Sequence, residues 1–295
     1  MTRIQIGIMV ALFLPAPVRL QVTGGSLVVW IVSQRSDYVV IGAESRNTDK
    51  HLNVLNDRAC KIISLGNDTL FYETGNSEIW VQRGLPWSSR DAARSVYSSS
   101  PKHDATSLSA AWATNAVRWF YAQPELDLRG LSEPPHGNLV TGGFINFDKN
   151  GFLTIRTEEV SFNADKRQLI AQASTQAPGQ VGVSGVGLDL VKEFFIGKTP
   201  RAARAFGPIG IVRLIGVYAA GDVENIRKAF RFVLDNASEE EKKFLGGDID
   251  IAIIRNDRTI EWIARKSWCY EQDQETTNLP KQNAFDGPLS TLGVY

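Results

Sequence analysis

The chain has 295 residues, of which 43% are hydrophobic and 22% charged, so it is long enough for one large globular domain or two small ones. Its 32 basic residues balance its 32 acidic residues, which excludes a strong overall field that would attract nucleic acid or an anionic membrane. Two cysteines, Cys60 and Cys269, are too few for a disulfide scaffold, and neither has metal-ligand spacing. We expect two unpaired thiols; one disulfide stays open as an alternative if the protein is exported.

Residues 1–25 have the pattern of a removable leader. Arg3 precedes an apolar run over residues 4–14, and a Pro-Ala-Pro stretch ends that run, as in a signal peptide. The run is too short to span a bilayer comfortably, so no membrane span is predicted in the mature chain. The alternative is an apolar propeptide, or an extra strand, in a cytoplasmic protein. We therefore begin the fold at residue 26 and predict export, to the periplasm or by secretion, if the leader is a signal peptide.

Two β-hairpins are predicted at the start of the fold. Residues 27–32 and 38–43 are rich in β-branched side chains and flank a polar turn. Residues 61–65 and 69–74 flank a Gly-Asn-Asp turn in the same way.

Helices and strands then follow in pairs. In chain order they are predicted as helices at 91–97 and 107–121, strands at 139–146 and 151–161, helices at 186–196 and 222–236, and strands at 249–254 and 259–263. Asp222 is predicted as the N-cap of its helix, and residues 200–221 are interpreted as an inserted helix. This grouping favours a layered α+β sandwich over a βαβ sheet.

Seven fragments along the chain carry a resemblance to a known family. They are residues 37–46, 60–62, Gly75, 140–148, 183–185, 235–238 and 246–254. In order and spacing they resemble the β-type subunits of the proteasome and their bacterial relatives, which are N-terminal-nucleophile hydrolases. The resemblance implies a four-layer αββα sandwich of two antiparallel sheets flanked by helices, over residues 26–266. Residues 267–295 would then be a C-terminal extension, interpreted as an irregular arm that contacts a neighbouring subunit.

The family uses an N-terminal nucleophile, and hairpin geometry helps to place it at Ser26. Opposed residues in an antiparallel pair have a constant index sum, so a turn centred near Arg35 puts Ser26 opposite Glu44 or Ser45. Gly25 precedes Ser26, as glycine precedes the family's cleavage site. Cleavage there would free an amine whose ordinary pKa of about 7.7–8 lets part of it accept the hydroxyl proton. The family normally has threonine at this position, and here the residue is serine.

The resemblance gives catalytic roles to further residues. Lys61, as an ammonium, would favour loss of the hydroxyl proton; Glu44 would hold the lysine, and the Gly75 N–H would stabilise the oxyanion. The residues that would brace the N-terminal amine are Ser184, Asp235 and Ser238. An insertion over residues 239–245 departs from the family pattern beside that last serine.

A substrate pocket is implied in the same way. The residues that would line it are Asn47, Ala59, Ile63, Glu73 and Ser77, and Thr48 would contact the substrate backbone. The acidic Glu73 predicts a preference for Lys or Arg before the scissile bond; in the alternative, this side chain points to solvent.

Two interpretations of function remain. The first is an amide-bond hydrolase, a peptidase acting on peptides or proteins without a cofactor or metal and assembling into a homo-oligomeric ring. The second is a catalytically inactive binding or assembly protein on the same sandwich, exported and with its serine never freed. His51, His103 and His136 have no recognisable catalytic setting, so catalysis would depend on the N-terminal residue.

Overall fold

A computed structural model describes most of the chain. The described residues are 21–25, 27–48, 53–80, 86–123, 126–131, 138–163, 168–175, 178–198, 212–213 and 219–270. The predicted nucleophile Ser26 lies outside them, as do most of the predicted inserted helix and the tail after residue 270.

Strands make up most of the regular structure. In chain order they are β1 (Gln21–Gly25), β2 (Leu27–Val32), β3 (Tyr38–Ala43), β4 (Asn47–Thr48), β5 (Val54–Asn56), β6 (Ile62–Leu65), β7 (Thr69–Trp80), β8 (Trp87–Ser88), β9 (Val140–Phe147), β10 (Leu153–Asn163), β11 (Gln168–Thr175), β12 (Gln180–Gly185), β13 (Val212–Arg213), β14 (Asp250–Arg255) and β15 (Ile260–Ala264). The helices are α1 (Ser89–Ser99), α2 (Ala105–Tyr121), α3 (Leu128–Leu131), α4 (Leu188–Lys198) and α5 (Ala219–Asn236), and a 3-10 turn spans Glu241–Lys243.

The first sheet has the order β11-β10-β9-β7-β1-β4-β5, and β6 and β8 also pair with β7. Its recorded pairings are antiparallel. Strand β1 lies between β7 and β4, although its residues belong to the predicted leader. Its register sets Gly25 opposite Gly75 and Gly24 opposite Thr48. The end of the leader is therefore a strand of this sheet.

The second sheet has the order β13-β12-β2-β3-β14-β15, again with antiparallel pairings. Strands β2 and β3 have the predicted bounds, and the pairing of Val28 with Ala43 agrees with the predicted register. Strands β11 and β12 are not predicted from the sequence. Most of β11 is exposed, so its residues lack the apolar alternation of a half-buried strand.

Three apolar clusters pack the helices and sheets together. In the first, α4 and α5 cover β2, β3, β12 and β14, with Ile226 and Phe230 of α5 buried. In the second, α1 and α2 cover β6, β7 and β9. The third draws side chains from both sheets, and the rings of Trp30 and Tyr72 lie with their centroids 4.8 Å apart. The chain is thus a mixed α+β protein built on antiparallel sheets.

The start of α5 differs from the prediction. The helix begins at Ala219, so Asp222 lies in its first turn rather than at the N-cap. Its carboxylate accepts a hydrogen bond from the Tyr38 hydroxyl at 2.8 Å. Burial raises the pKa of Asp222 to about 6. Asp222 therefore joins α5 to β3.

The prediction of two unpaired thiols is wrong in this structure. Cys60 and Cys269 form a disulfide, with their Cα atoms 5.5 Å apart. A separation of 209 residues carries no local signal, and the pairing depends on the segment after β15 packing against the residues that precede β6. The start of the predicted irregular arm is also ordered, since residues 267–270 form a helical turn.

Among the described residues, no helix is both long enough and apolar enough to cross a membrane.

Candidate active site

Glu44 and Lys61 form a buried ion pair between the end of one strand and the start of another. Glu44 follows the last residue of β3, and Lys61 precedes the first residue of β6. The two residues are 2% and 1% exposed. The Lys61 Nζ donates to Glu44 Oε1, which also accepts a hydrogen bond from the Leu27 N–H at 3.1 Å. The structure therefore brings the predicted lysine and glutamate together, and Leu27, whose N–H binds this glutamate, directly follows the predicted nucleophile Ser26 in sequence.

The second oxygen of Glu44 is also satisfied. Its Oε2 accepts hydrogen bonds from the N–H groups of Arg46 at 2.7 Å and Gly246 at 3.3 Å. A buried carboxylate is tolerated when such donors replace water. The donors come from three separate parts of the chain, so Glu44 ties β2, β3 and the segment before β14 to Lys61.

Burial lowers the pKa of the Lys61 ammonium below its ordinary value. The carboxylate of Glu44 acts in the opposite direction, and so does Glu73. A second buried ammonium, Lys266, lowers it further. The charge on Lys61 is therefore set by a small group of buried neighbours rather than by water.

Gly75 lies in β7 beside the end of the leader strand. It pairs with Gly25 of β1 on one side and with Val140 of β9 on the other. Its φ is +80°, a conformation that favours glycine. A Cβ here would also meet Asn138 Oδ1, Leu139 O and Val140 Cα, each at 3.2 Å. A side chain at this position would therefore require a shift of residues 138–140, which lead into β9, and a left-handed backbone conformation.

Ser184 of β12 contacts strand β7 through its side chain, and the sequence does not predict this contact. Its hydroxyl is 2.6 Å from the Thr74 hydroxyl, and the residue pairs with Val28 in the second sheet. The contact joins β12 to β7 immediately before Gly75. Thr74 has no signal of its own, because a threonine in a strand is common.

Asp235 and Ser238 are not joined to the Glu44–Lys61 pair by any recorded contact of the described residues. Both are exposed, at and after the end of α5. The Ser238 hydroxyl accepts from the Glu241 N–H, and the Ser238 N–H donates to Glu241 Oε2 at 2.9 Å, which is the hydrogen bonding of a capping box. The inserted residues thus give Ser238 a local partner.

Arg46 holds this insertion in place. Its Nη1 donates to the carbonyl oxygens of Lys242 and Leu245, each at 2.9 Å, and its Nε donates to Asp57 Oδ1 at 2.8 Å. The Asp57 side chain raises the pKa of the Arg46 guanidinium above its ordinary value. Arg46 thus ties the insertion to Asp57, in the segment that leads to Lys61.

The predicted pocket residues lie on three elements and the connection before one of them. Asn47 and Thr48 are buried in β4, next to β1. Ile63 is buried in β6 and packs in the cluster of α1 and α2. Ser77 is buried in β7, where the pairing with β1 is irregular, and Ala59 is half-buried before β6. Asn47, Thr48 and Ser77 therefore lie on strands that pair with the leader strand, and Ala59 lies two residues before Lys61.

Glu73 is buried and does not point to solvent, contrary to the alternative considered from the sequence. It is 1% exposed, and its Oε1 lies 3.4 Å from the Nε of Arg90 in α1. Burial raises the pKa of Glu73 to about 7, although Arg90 acts to lower it. Arg90 also pairs with Glu78. Glu73, the acidic residue of the predicted pocket, is therefore paired with Arg90 inside the protein.

A second buried ion pair beside Lys61 has no sequence signal that we identified. Asp250 of β14 is fully buried, and its Oδ2 lies 2.8 Å from the Nζ of Lys266. Asp250 pairs with Ala43, the residue before Glu44. The buried carboxylates of Glu44 and Asp250 thus lie at the ends of neighbouring strands, β3 and β14.

The described residues contain no group of three or more His, Cys, Asp or Glu side chains arranged to hold a metal ion. No protein-family model matches the sequence, and no significant match to it was found among curated proteins.

Proposed function

We propose that the protein is an amide-bond hydrolase of the proteasome β type, with Ser26 as nucleophile after cleavage of the Gly25–Ser26 bond. The fold we assign is the four-layer αββα sandwich of the N-terminal-nucleophile hydrolases. Two antiparallel sheets that share an apolar cluster, each with helices packed on it, support this assignment.

The observation that carries the proposal is the position of strand β1. The five residues that end at Gly25 lie between β7 and β4, with Gly25 opposite Gly75. An extended peptide in this slot is held by backbone pairing on both sides, which is how a sheet binds a strand-shaped substrate. The Gly25–Ser26 peptide bond is separated by one residue, Ser26, from Leu27, whose N–H binds Glu44. The leader thus occupies the position that a peptide substrate would take.

The chemistry follows from the freed amine and the buried pair. The Ser26 amine accepts the hydroxyl proton, and the oxygen attacks the substrate carbonyl carbon. Lys61 stabilises the developing negative charge through its field, and Glu44 fixes the ammonium in place. The N–H of Gly75 donates to the oxyanion. The protonated amine then gives its proton to the leaving nitrogen, and water hydrolyses the ester that remains on Ser26.

The mass of the mature chain tests the proposal. We expect the purified protein to begin at Ser26 and to cleave fluorogenic peptides, and we expect Ser26→Ala to be inactive. Lys61→Met should keep the wild-type fold by circular dichroism and lose peptidase activity. A mature chain that retains Gly25 and has no activity would sink the enzyme proposal.

The same strand favours a second candidate function. If Gly25–Ser26 is never cleaved, β1 fills the slot permanently and the protein is a catalytically inactive binding or assembly protein. The capping-box pairing of Ser238 with Glu241, away from Lys61, favours this candidate as well. Intact mass separates the two functions, because only the enzyme loses residues 21–25.

The proposed specificity depends on the charge of Glu73. With Glu73 ionised, two carboxylates, Glu73 and Glu78, face one guanidinium, Arg90, which leaves one negative charge (−2 + 1 = −1). Since the pKa of Glu73 is about 7, the preference for Lys or Arg before the scissile bond should strengthen from pH 6 to pH 8. The ratio of kcat/KM for arginine- and leucine-ended peptides measures this. An unchanged ratio, or better turnover of leucine at pH 8, would contradict it.

Export and assembly into a ring are part of the same proposal. A disulfide favours an oxidising compartment, which agrees with a leader of the signal-peptide type. A homo-oligomeric ring would enclose the slot that β1 fills. Fractionation of expressing cells tests the first point, and light scattering on the mature protein tests the second.

A further inference from the structure

The segment that follows β15 holds the peptide around Lys61 at four successive points. The contacts are Trp268 Nε1 to Arg58 O at 3.1 Å, Lys266 Nζ to Ala59 O at 3.0 Å, the Cys269–Cys60 disulfide, and Arg265 Nη1 to Ile62 O at 2.8 Å. We call residues 265–269 the C-terminal clamp. Lys61 lies within the clamped run, between Cys60 and Ile62, and its own side chain extends to Glu44.

Lys266 is the charged centre of this clamp. Its residue is 6% exposed, and its Nζ lies 2.8 Å from Asp250 Oδ2. The Lys266 N–H donates to the other carboxylate oxygen at 2.9 Å, and the Nη1 of Arg265 lies 3.5 Å from Asp250 Oδ2. One fully buried carboxylate on β14 thus fixes both the backbone and the side chain of Lys266.

The Lys61 and Lys266 ammonium groups share Glu44 as a charged neighbour. Lys266 acts to lower the pKa of Lys61, while Glu44 acts to raise the pKa of Lys266. The charged groups that shift the pKa of Lys61 are Glu44 after β3, Glu73 of β7 and Lys266 of the clamp. Lys61 in turn acts to lower the pKa of Asp57, which lies before β6. Among the charged groups that act on Lys61, removal of Lys266 leaves the carboxylates of Glu44 and Glu73. Its pKa should then rise.

We propose that Lys266, anchored by Asp250 and by the Cys60–Cys269 disulfide, is a positioning residue for Lys61. It fixes the carbonyl of Ala59, two residues before Lys61, and it places a second positive charge near the Glu44–Lys61 pair. The consequence for activity rests on the proposed function, whereas the effect on Lys61 itself can be measured in an inactive protein.

Lys266→Met tests the proposal in the full-length protein. We expect the Nζ resonance of Lys61, identified with Lys61→Met in protein labelled with ¹⁵N-lysine, to titrate at higher pH than in the wild type. If the ammonium form of Lys61 is the active one, activity lost as pH rises through its pKa should be retained to higher pH. A displaced reacting group lowers kcat by about tenfold to hundredfold, with little change in KM. Lys192→Met, which removes the partner of Asp189 on α4, is the matched control. It should change neither the titration of Lys61 nor kcat.

Two further variants keep the test decisive. Asp250→Asn/Lys266→Met removes both charges, so no buried carboxylate is left unpaired if the single variant fails to fold. Cys60→Ala/Cys269→Ala keeps the Lys266 charge and loosens the clamp, so we expect kcat to fall with a smaller change in the Lys61 titration.

The outcomes separate this proposal from the one on function. An active wild type in which Lys266→Met leaves the Lys61 titration and the pH profile unchanged overturns the role of Lys266 alone. A wild type without activity contradicts the proposed function, while a raised Lys61 pKa in Lys266→Met would still support the clamp.

Discussion

Two buried carboxylates, Glu44 and Glu73, each lie beside a cation, but they differ in their hydrogen bonding. Glu44 accepts from three backbone N–H groups as well as from Lys61. Glu73 Oε1 lies 3.4 Å from Arg90 Nε, its Oε2 accepts no backbone hydrogen bond from the described part of the chain, and the side chain of Ser89 acts to lower its pKa less than burial raises it. Burial raises the pKa of Glu73 to about 7. A cation at that distance therefore does not replace the backbone donors that a buried carboxylate needs.

The position of each residue relative to its strand explains the difference. Glu44 lies just beyond β3, where the chain leaves the sheet and nearby N–H groups are free to bind a side chain. Glu73 lies inside β7, between β6 and β9, and the sheet uses the backbone groups around it. Its own N–H, for example, donates to the Lys61 carbonyl at 3.0 Å. A carboxylate within a strand must depend on side chains.

The largest expected effect comes from removing the cation beside Glu44. Lys61→Met leaves a carboxylate that is buried and hydrogen-bonded but no longer paired. Loss of one partner of a buried ion pair costs about 3–5 kcal/mol. Denaturant unfolding at pH 7 measures the change in the free energy of unfolding.

The double variant Glu44→Gln/Lys61→Met is the control for this experiment. It removes both charges, so most of the lost stability should return while peptidase activity stays absent. If Lys61→Met alone is as stable as the wild type, the backbone donors suffice for Glu44 and the lysine is not needed for its burial.

The next effect is the pH dependence that Glu73 gives to stability. Its pKa is raised from an ordinary 4.5 to about 7 in the folded protein, so its ionisation opposes folding. Relative to Glu73→Gln, the wild type should be most stable below pH 4.5 and should lose stability as pH rises to about 7. At 1.36 kcal/mol per pKa unit the loss is about 3 kcal/mol. Unfolding free energies of both proteins at pH 4.5 and pH 8 give this difference.

Glu239→Gln is a suitable comparison, because its carboxylate is 90% exposed. It should show the same pH dependence as the wild type. If Glu73→Gln also follows the wild type from pH 4.5 to pH 8, then Arg90 does stabilise the ionised carboxylate and the contrast with Glu44 fails.

Local patterns predict much of this fold. The β2–β3 hairpin has the predicted bounds because its β-branched runs flank a polar turn, and that hairpin sets Glu44 at a strand end. The family resemblance implies that Glu44 holds Lys61, and the two side chains are in contact. Strand β1 could not be predicted in the same way. Two of its five residues are glycine, which carry no strand propensity, and its pairing with β7 depends on the assembled sheet.

The parts of the site that the sequence does not predict involve long separations. Lys266 reaches the Ala59 carbonyl across 207 residues, and Cys269 reaches Cys60 across 209. Arg90 is an ordinary residue in the first turn of α1, and only the packing of that helix on β7 brings it to Glu73. No periodicity or local spacing marks such contacts, because they depend on where whole elements pack.

The smallest effect concerns an uncharged pair, which provides a baseline for the two carboxylates. The hydroxyls of Thr74 and Ser184 are 2.6 Å apart and join the two sheets beside Gly75. A neutral hydrogen bond contributes about 1 kcal/mol, so Thr74→Val and Ser184→Ala should each lower the free energy of unfolding by about that amount. Neither change should depend on pH between 5 and 8, because neither hydroxyl titrates there. A double-mutant cycle with both substitutions gives their coupling. A coupling near zero would mean that water replaces whichever hydroxyl is removed. The Thr74–Ser184 hydrogen bond would then contribute less to stability than the hydrogen bonds to Glu44.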